Sequence, residues 1–310
     1  MFQGKADSFL QERKASVHPE VEVLAIGACS GSVGELWQGP AWSGSADEVA
    51  LVTLHGPNQS IAYASNAPDA SGDLERAAED HLRIQAEQFF YEVTAVPSKG
   101  IGLRYLSDIP RGKGMASSTA DIVAVIRCLA KLHGMPPSDE LIREILRRIE
   151  RSDPIFHNYH SVYFSGLQRE YRRFATRIGF YAYWSFENQD TDTKRFDRSL
   201  LLDAYSLYRE EYRVSLTNLI DAMDTGNASA VAAESTVSAR LAQSYLPSAT
   251  VGNLLENYQS LGALGVLRGH TGTVAGLLFS ERPSPELAVS IKRIFSLNSM
   301  EPYEGNVGLC

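Results

Sequence analysis

The stretch IPRGKGMASSTADIVAVIRCLAKLHG, Ile109 to Gly134, sets Gly112, Gly114 and three consecutive hydroxyls, Ser117, Ser118 and Thr119, directly in front of an apolar helical pattern. Glycines let backbone N–H groups approach an anion closely, and a helix that starts immediately afterwards adds the positive end of its dipole. That combination stabilises a polyphosphate. Lys113 adds a charge, and the hydroxyls stand where they can cap the helix, hold a phosphate oxygen or bind Mg²⁺. The usual nucleotide loop, two glycines followed by Lys and then Ser or Thr, has no match in the chain, so a phosphate held here is held by another design. A Gly-rich turn before a serine-capped helix is the competing reading of the same residues.

Two further segments bear on that choice. GACSGSVGELWQG, Gly27 to Gly39, reads as a glycine- and serine-rich turn straight after a buried strand. RGHTGTVAGLLF, Arg268 to Phe279, reads as a small-residue loop entering an apolar strand. In this order and at these separations the three segments resemble the three motifs of the GHMP kinases, the superfamily of small-molecule kinases that includes galactokinase, homoserine kinase, mevalonate kinase and phosphomevalonate kinase. Within it KGMASSTADI, HTGTVAGLL and GELWQG are similar to the L-threonine kinases of cobalamin biosynthesis, and the resemblance covers most of residues 21–280.

The resemblance implies an α+β, two-lobed GHMP kinase fold with a ribosomal-protein-S5-like N-terminal lobe and a ferredoxin-like C-terminal lobe. Residues 1–20 would be a flexible extension, 21–160 the ATP-binding domain and 161–310 the C-terminal domain. It implies ATP and Mg²⁺ as cofactors and phosphoryl transfer to an alcohol, with L-threonine as the first acceptor to consider and a related amino alcohol beside it. Carried over residue by residue, Gly112, Lys113, Gly114, Met115, Ala116, Ser117, Ser118 and Thr119 would wrap the ATP phosphates, with Ser118 beside Mg²⁺. Many GHMP kinases have glycine at this position; this chain has Ala116, and the threonine-kinase branch likewise has alanine there. Ser32 and Glu35 would lie near the acceptor or the loop, and Gly269, His270, Thr271, Gly272 and Thr273 would shape the floor of the site.

Such a reaction also needs a group to take the acceptor's proton. Asp153, in IERSDPIF, falls where the threonine kinases have a similar Glu-x-x-Asp sequence, with Arg151 replacing a common proline. With Lys113 it forms the expected catalytic pair. Taken alone, Asp153 is equally a turn residue before Pro154, and Glu150 is a second candidate base or a solvated helix-end charge. Two other readings stay open: a catalytically silent binding or regulatory protein of the same fold, and an ATP-dependent decarboxylase of the mevalonate branch.

The elements that must position these residues follow from periodicity and punctuation. VEVLAIGA reads as a buried strand, with EVALVTL and QSIAYAS at hairpin-like spacing after it. DLERAAEDHLRIQAEQFFYEV reads as a helix and GLRYLSD as a strand. The opening helix starts near Ser117 and stops at Gly134, and Ser138 caps the next one. HSVYFSG and RIGFYAYWSF read as strands, Leu201 to Leu261 as largely helical, and Pro283 to Phe295 as a last helix. His157 and His160 could share one side of a helical turn, and the basic QREYRRFATR reads as a solvated face.

Composition limits the alternatives. With 310 residues, 44% hydrophobic and 21% charged, the chain can bury a large core. A net charge of -8 argues against a nucleic-acid binder. Cys29, Cys128 and Cys310 are scattered and odd in number, which suggests neither a disulfide framework nor a zinc site, and a reducing cytoplasm is the expected setting. No apolar run approaches the roughly 20 residues of a membrane span. The expected partner is a small alcohol or amino acid, with no nucleic acid and no membrane, and homodimerisation is open.

Overall fold

In the computed structural model the described residues are 22–44, 46–66, 81–186, 198–269 and 272–309. The N-terminal extension, His270 and Thr271 lie outside them. The first strand is far longer than its apolar opening: β1 spans Val23–Trp42 and pairs antiparallel with β2, Asp47–Ser65. Two expectations are corrected by this pair. The glycines and serines of residues 27–39 form a strand with several register shifts between Ser30 and Trp37, not a turn. EVALVTL and QSIAYAS are halves of one strand, not hairpin arms: as β1 advances from Ser30 to Ser32 its antiparallel partner runs back from Gln59 to His55, so Gly56-Pro57-Asn58 is absorbed as a bulge.

Next come α1 (His81–Thr94), β3 (Gly102–Ser107), α2 (Ser117–Leu132) and α3 (Asp139–Ile149). Helix α2 starts and stops as its sequence predicts, with Gly134 just beyond it at φ 66°. It is buried from Thr119 to Ala130 with the exception of Arg127, because β1 and β2 cover one side and α1 and α3 pack on it elsewhere. The strand and helix approach closely: a Cβ on Gly27 would stand 2.1 Å from the carbonyl oxygen of Ala124. The Ser138 side chain caps α3 by accepting from the Leu141 amide, a cap worth about 1 kcal/mol.

The rest of the chain supplies β4 (Ser161–Phe164), β5 (Arg169–Arg173), β6 (Gly179–Phe186), α4 (Arg198–Leu207), α5 (Arg209–Asp224) and α6 (Ala228–Ala242). It closes with α7 (Ala249–Asn257), β7 (Gly265–Arg268), β8 (Val274–Phe279), α8 (Pro285–Ser296) and β9 (Tyr303–Gly308). The basic segment is therefore an exposed edge strand, β5. One antiparallel sheet runs in the order β5-β4-β2-β1-β7-β8-β6-β9, with β3 also paired to β2. This is the mixed α/β architecture expected. His157 and His160 lie in the core, where His160 Nε2 meets the Ile178 carbonyl at 2.9 Å and His157 Nδ1 meets Ser161 Oγ at 3.3 Å. Among the described residues no helix is long and apolar enough to cross a membrane.

Strand β1 is the spine of the molecule. Its first half lies under α2, while its second half is fixed to the later helices by Trp37 Nε1 donating to Ser215 Oγ at 3.2 Å and the Gln38 amide donating to Ser238 Oγ at 3.0 Å. Its single residue pair with β7, Glu35 opposite Arg268, joins the two halves of the sheet. The irregular segment between them carries the first glycine-rich motif.

Candidate active site

The three glycine-bearing segments meet at the start of α2. The residue before the helix, Ala116, takes a left-handed conformation (φ 55°, ψ 33°) and provides no side-chain cap. This corrects the serine-capped reading: the first-turn N–H groups of α2 have no side-chain acceptor at the cap, which is the arrangement that receives an anion. Gly112 and Gly114 also have positive φ, 68° and 80°. The Met115 carbonyl accepts from the Ser32 amide at 3.0 Å, and the Lys113 carbonyl accepts from the Thr273 amide at 3.2 Å. Gly114 and Gly272 touch through their backbones, since a Cβ on Gly114 would fall 2.6 Å from the Gly272 Cα. Gly269 closes its loop by donating to the Val274 carbonyl at 2.8 Å.

The hydroxyls after Ala116 differ in environment. Ser118 Oγ and Thr119 Oγ1 donate to the same carboxylate oxygen, Glu150 Oε1, at 3.0 and 2.8 Å. Glu150 is thus not a solvated helix-end charge. Burial raises its pKa above the ordinary carboxylate value, the two hydroxyl hydrogen bonds oppose that rise, and the charge of Asp121 adds to it. Asp153 lies three residues on, half-buried, and its carboxyl is pushed up to about 8, first by burial and then by the negative charges of Glu35 and Glu150, with Arg151 opposing. The turn it precedes is closed by the His157 amide donating to the Pro154 carbonyl at 3.1 Å, a bond that does not use the Asp153 side chain.

Other predicted residues serve the frame. Ser32 is fully buried, with its amide on the loop and its hydroxyl without a partner. Glu35 is buried opposite Arg268, whose guanidinium donates to Gln243 Oε1 at 2.9 Å and to the Leu246 carbonyl. The Lys113 ammonium stands 5.7 Å from the centre of the Phe186 ring. Gly272 and Thr273 join the loop contacts; His270 and Thr271 lie outside the described residues.

Sequence reasoning missed a second set. Asp121, in the second turn of α2, pairs with Arg83 of α1 at 3.0 Å and with Arg111 of the glycine loop at 3.1 Å, and also accepts from Ser60 Oγ of β2. Arg83 in turn lies 4.5 Å from the centre of the Tyr105 ring. An acid inside the apolar run ADIVAVI was the available signal, because a buried carboxylate must be paired.

The family model described as the GHMP kinases N terminal domain matches residues 76–159. The 4-diphosphocytidyl-2-C-methyl-D-erythritol kinase of Salinibacter ruber is 34% identical over 77 residues, 25% of this chain and 27% of that enzyme, so the chain spans about a quarter of the length of this curated relative. The Lactococcus lactis galactokinase complexed with galactose superposes with a TM-score of 0.65 at 12% identity, covering 98% of each chain. The Streptococcus pneumoniae phosphomevalonate kinase in complex with phosphomevalonate and AMPPNP gives 0.64 at 13% identity, over 92% of this chain and 99% of its own. Residues 76–159 thus match the family model of the GHMP kinases N terminal domain, and the chain shares the fold of the solved galactokinase and phosphomevalonate kinase.

Proposed function

We propose that the protein is an ATP-dependent kinase that transfers the γ-phosphoryl group to the hydroxyl of a small molecule, an amino acid in the first place, with L-threonine giving O-phospho-L-threonine as the leading candidate. One observation carries the reading: backbone from three distant glycine segments converges on the uncapped start of α2, with Glu150 and Asp153 beside it. The choice of acceptor rests on the similarity of KGMASSTADI and HTGTVAGLL to the L-threonine kinases.

Each residue then has a physical task. The amides of Gly112 to Ser118 and the dipole of α2 bind and orient the polyphosphate, with Lys113 adding positive charge. The charges of Glu35 and Glu150 help to raise the pKa of Asp153, but among the described residues no three such side chains gather closely enough to hold a metal ion by themselves, so a cation here would also need phosphate oxygens. Ser118 Oγ and Glu150 are oxygen donors of the type Mg²⁺ takes, and they fit that ion. When bound with ATP, Mg²⁺ neutralises charge on the phosphates. Asp153 accepts the hydroxyl proton as the acceptor oxygen bonds to the γ-phosphorus and the bond to the β–γ bridging oxygen breaks; ADP leaves. General-base assistance of this kind contributes roughly 10²- to 10⁴-fold.

The test is incubation with Mg-ATP and a panel of hydroxy amino acids, amino alcohols and sugars. ADP release accompanied by an acceptor 80 Da heavier (about one HPO₃ unit, the group transferred) is the expected result. Tight Mg-ATP binding with no acceptor consumed would overturn it.

A further inference from the structure

Behind the segment that follows Asp153 lies a cavity of about 450 Å³ whose lining includes Arg127, Lys131, His55, Cys29, Phe156 and Leu309. None of the loop residues Gly112–Thr119 lines it, and neither do Glu35, Glu150 or Asp153. It is a separate feature of the fold.

Its electrostatics are unusual for an acidic chain. Arg127 is the one position between Thr119 and Ala130 of α2 that is not fully buried, and Lys131 follows one turn later on the same helix. Among the described residues neither cation has a carboxylate within ion-pairing distance. Arg127 uses two of its N–H groups on backbone, Nη1 on the Ala28 carbonyl at 2.7 Å and Nη2 on the Phe156 carbonyl at 2.6 Å. Carbonyl dipoles solvate a guanidinium without neutralising it, and a half-buried uncompensated charge attracts an anion. The histidines add no positive charge: burial, followed by neighbouring charge, lowers His55 to about 4 and His157 to about 3. His55 Nε2 lies 3.2 Å from the Ile155 carbonyl, so the ring proton is on Nε2. Nδ1 is then a bare acceptor, buried and without a partner. Ile26, Ala28, Ile155, Phe156 and Leu309 make the remaining wall apolar.

We propose that this cavity is a second ligand site, for a small organic carboxylate with an apolar body, and that its occupancy is felt by the segment carrying Asp153. The carboxylate pairs with Arg127 and Lys131, and the body lies against Phe156 and its apolar neighbours. The coupling has a direct cause. Residues 155 and 156 are held from behind through their carbonyls, by His55 Nε2 and by Cys29 Sγ at 3.8 Å on Ile155, and by Arg127 on Phe156. A carboxylate on Arg127 competes with the Phe156 carbonyl for the same guanidinium, so binding loosens a tether three residues beyond Asp153.

The experiment uses the full chain without nucleotide, so it does not depend on the kinase reading. L-leucine, isovalerate, acetate and inorganic phosphate are titrated by calorimetry, and hydrogen exchange of residues 153–158 is followed with and without the best probe. Expected are saturable binding of L-leucine or isovalerate at millimolar concentration or below, at least tenfold tighter than acetate, and faster exchange at 153–158. Lys131 is exposed, so Lys131→Glu should fold normally, keep Mg-ATP binding and weaken the probe at least tenfold. Arg127→Lys, which keeps the charge and loses the fork, should weaken it as well. No saturation by either apolar carboxylate at 20 mM (roughly the weak end of millimolar affinity), equal affinity for inorganic phosphate, or full affinity in Lys131→Glu would overturn the site. Binding with unchanged exchange at 153–158 would overturn the coupling.

Discussion

Gly114 and Gly272 meet backbone to backbone: a Cβ placed on either would stand 2.6 or 2.5 Å from the Cα of the other. The contact joins the loop before α2 to the loop between β7 and β8, and Thr273 donating to Lys113 seals it. Gly114→Ala should therefore fail on two counts, the overlap and a φ of 80°, which costs an L-residue about 1–2 kcal/mol by itself. We expect a lower melting temperature and at least tenfold weaker Mg-ATP binding. Wild-type affinity in a folded Gly114→Ala protein would separate this contact from the phosphate site.

Asp153→Asn distinguishes a proton acceptor from a turn residue. Asn suits a turn before proline nearly as well as Asp, and the turn here is closed by backbone atoms. Turnover at saturating substrates should fall on the order of 10²-fold or more with ATP affinity retained. Unchanged turnover would remove Asp153 from the chemistry.

The same residue predicts two pH dependences. Because the fold raises the Asp153 pKa from 3.8 to about 8, the protonated form is favoured in the folded state; that stability is full below the unfolded value and is lost as pH rises through the folded one. Thermal unfolding should show Asp153→Asn gaining on wild type as pH rises from 3.8 to about 8, the window between the unfolded and folded values of the carboxyl. In wild type, kcat/KM should rise with pH through a midpoint at about 8 and level off above it, where the free enzyme's base is fully ionised. A flat profile over that range would contradict the assignment.

Glu150→Gln tests the cation pair formed with Ser118. It keeps an acceptor for Ser118 and Thr119 but removes the charge, so folding should be retained. The Mg²⁺ concentration giving half-maximal turnover should rise at least tenfold, with metal-free nucleotide binding little changed. An unchanged Mg²⁺ requirement would place the ion elsewhere.

Asp121→Asn addresses the brace of the loop. It removes the carboxylate charge that the buried Arg83 and Arg111 share, and breaking a buried pair from one side costs about 3–5 kcal/mol. A large drop in melting temperature is expected. Arg111→Met, at the half-exposed end, should cost far less stability yet weaken nucleotide binding. Equal stability of wild type and Asp121→Asn, measured by denaturant unfolding, would contradict the brace.

Local chemistry was legible from the residues alone. The start of α2 at Ser117, its stop before Gly134 and the Ser138 cap follow from glycine conformations, hydrogen-bonding side chains and a 3.6-residue apolar period, all decided within a few residues. The order of the three motifs and the resemblance they carry were equally visible. Tertiary structure decided what depends on pairing at a distance. That GACSGSVGELWQG is a bulged strand rather than a turn depends on β2 lying beside it, because small residues allow either outcome and the partner's hydrogen bonds choose. Glu150 looked like a solvated charge until Ser118 and Thr119 were brought to it, and Asp121 looked like an oddity in a helix until Arg83, Arg111 and Ser60 closed around it. Sequence spacing shows which side chains share a helix face; only the packed fold shows which charges lose their water together, and that loss decides their pairing and their proton affinities.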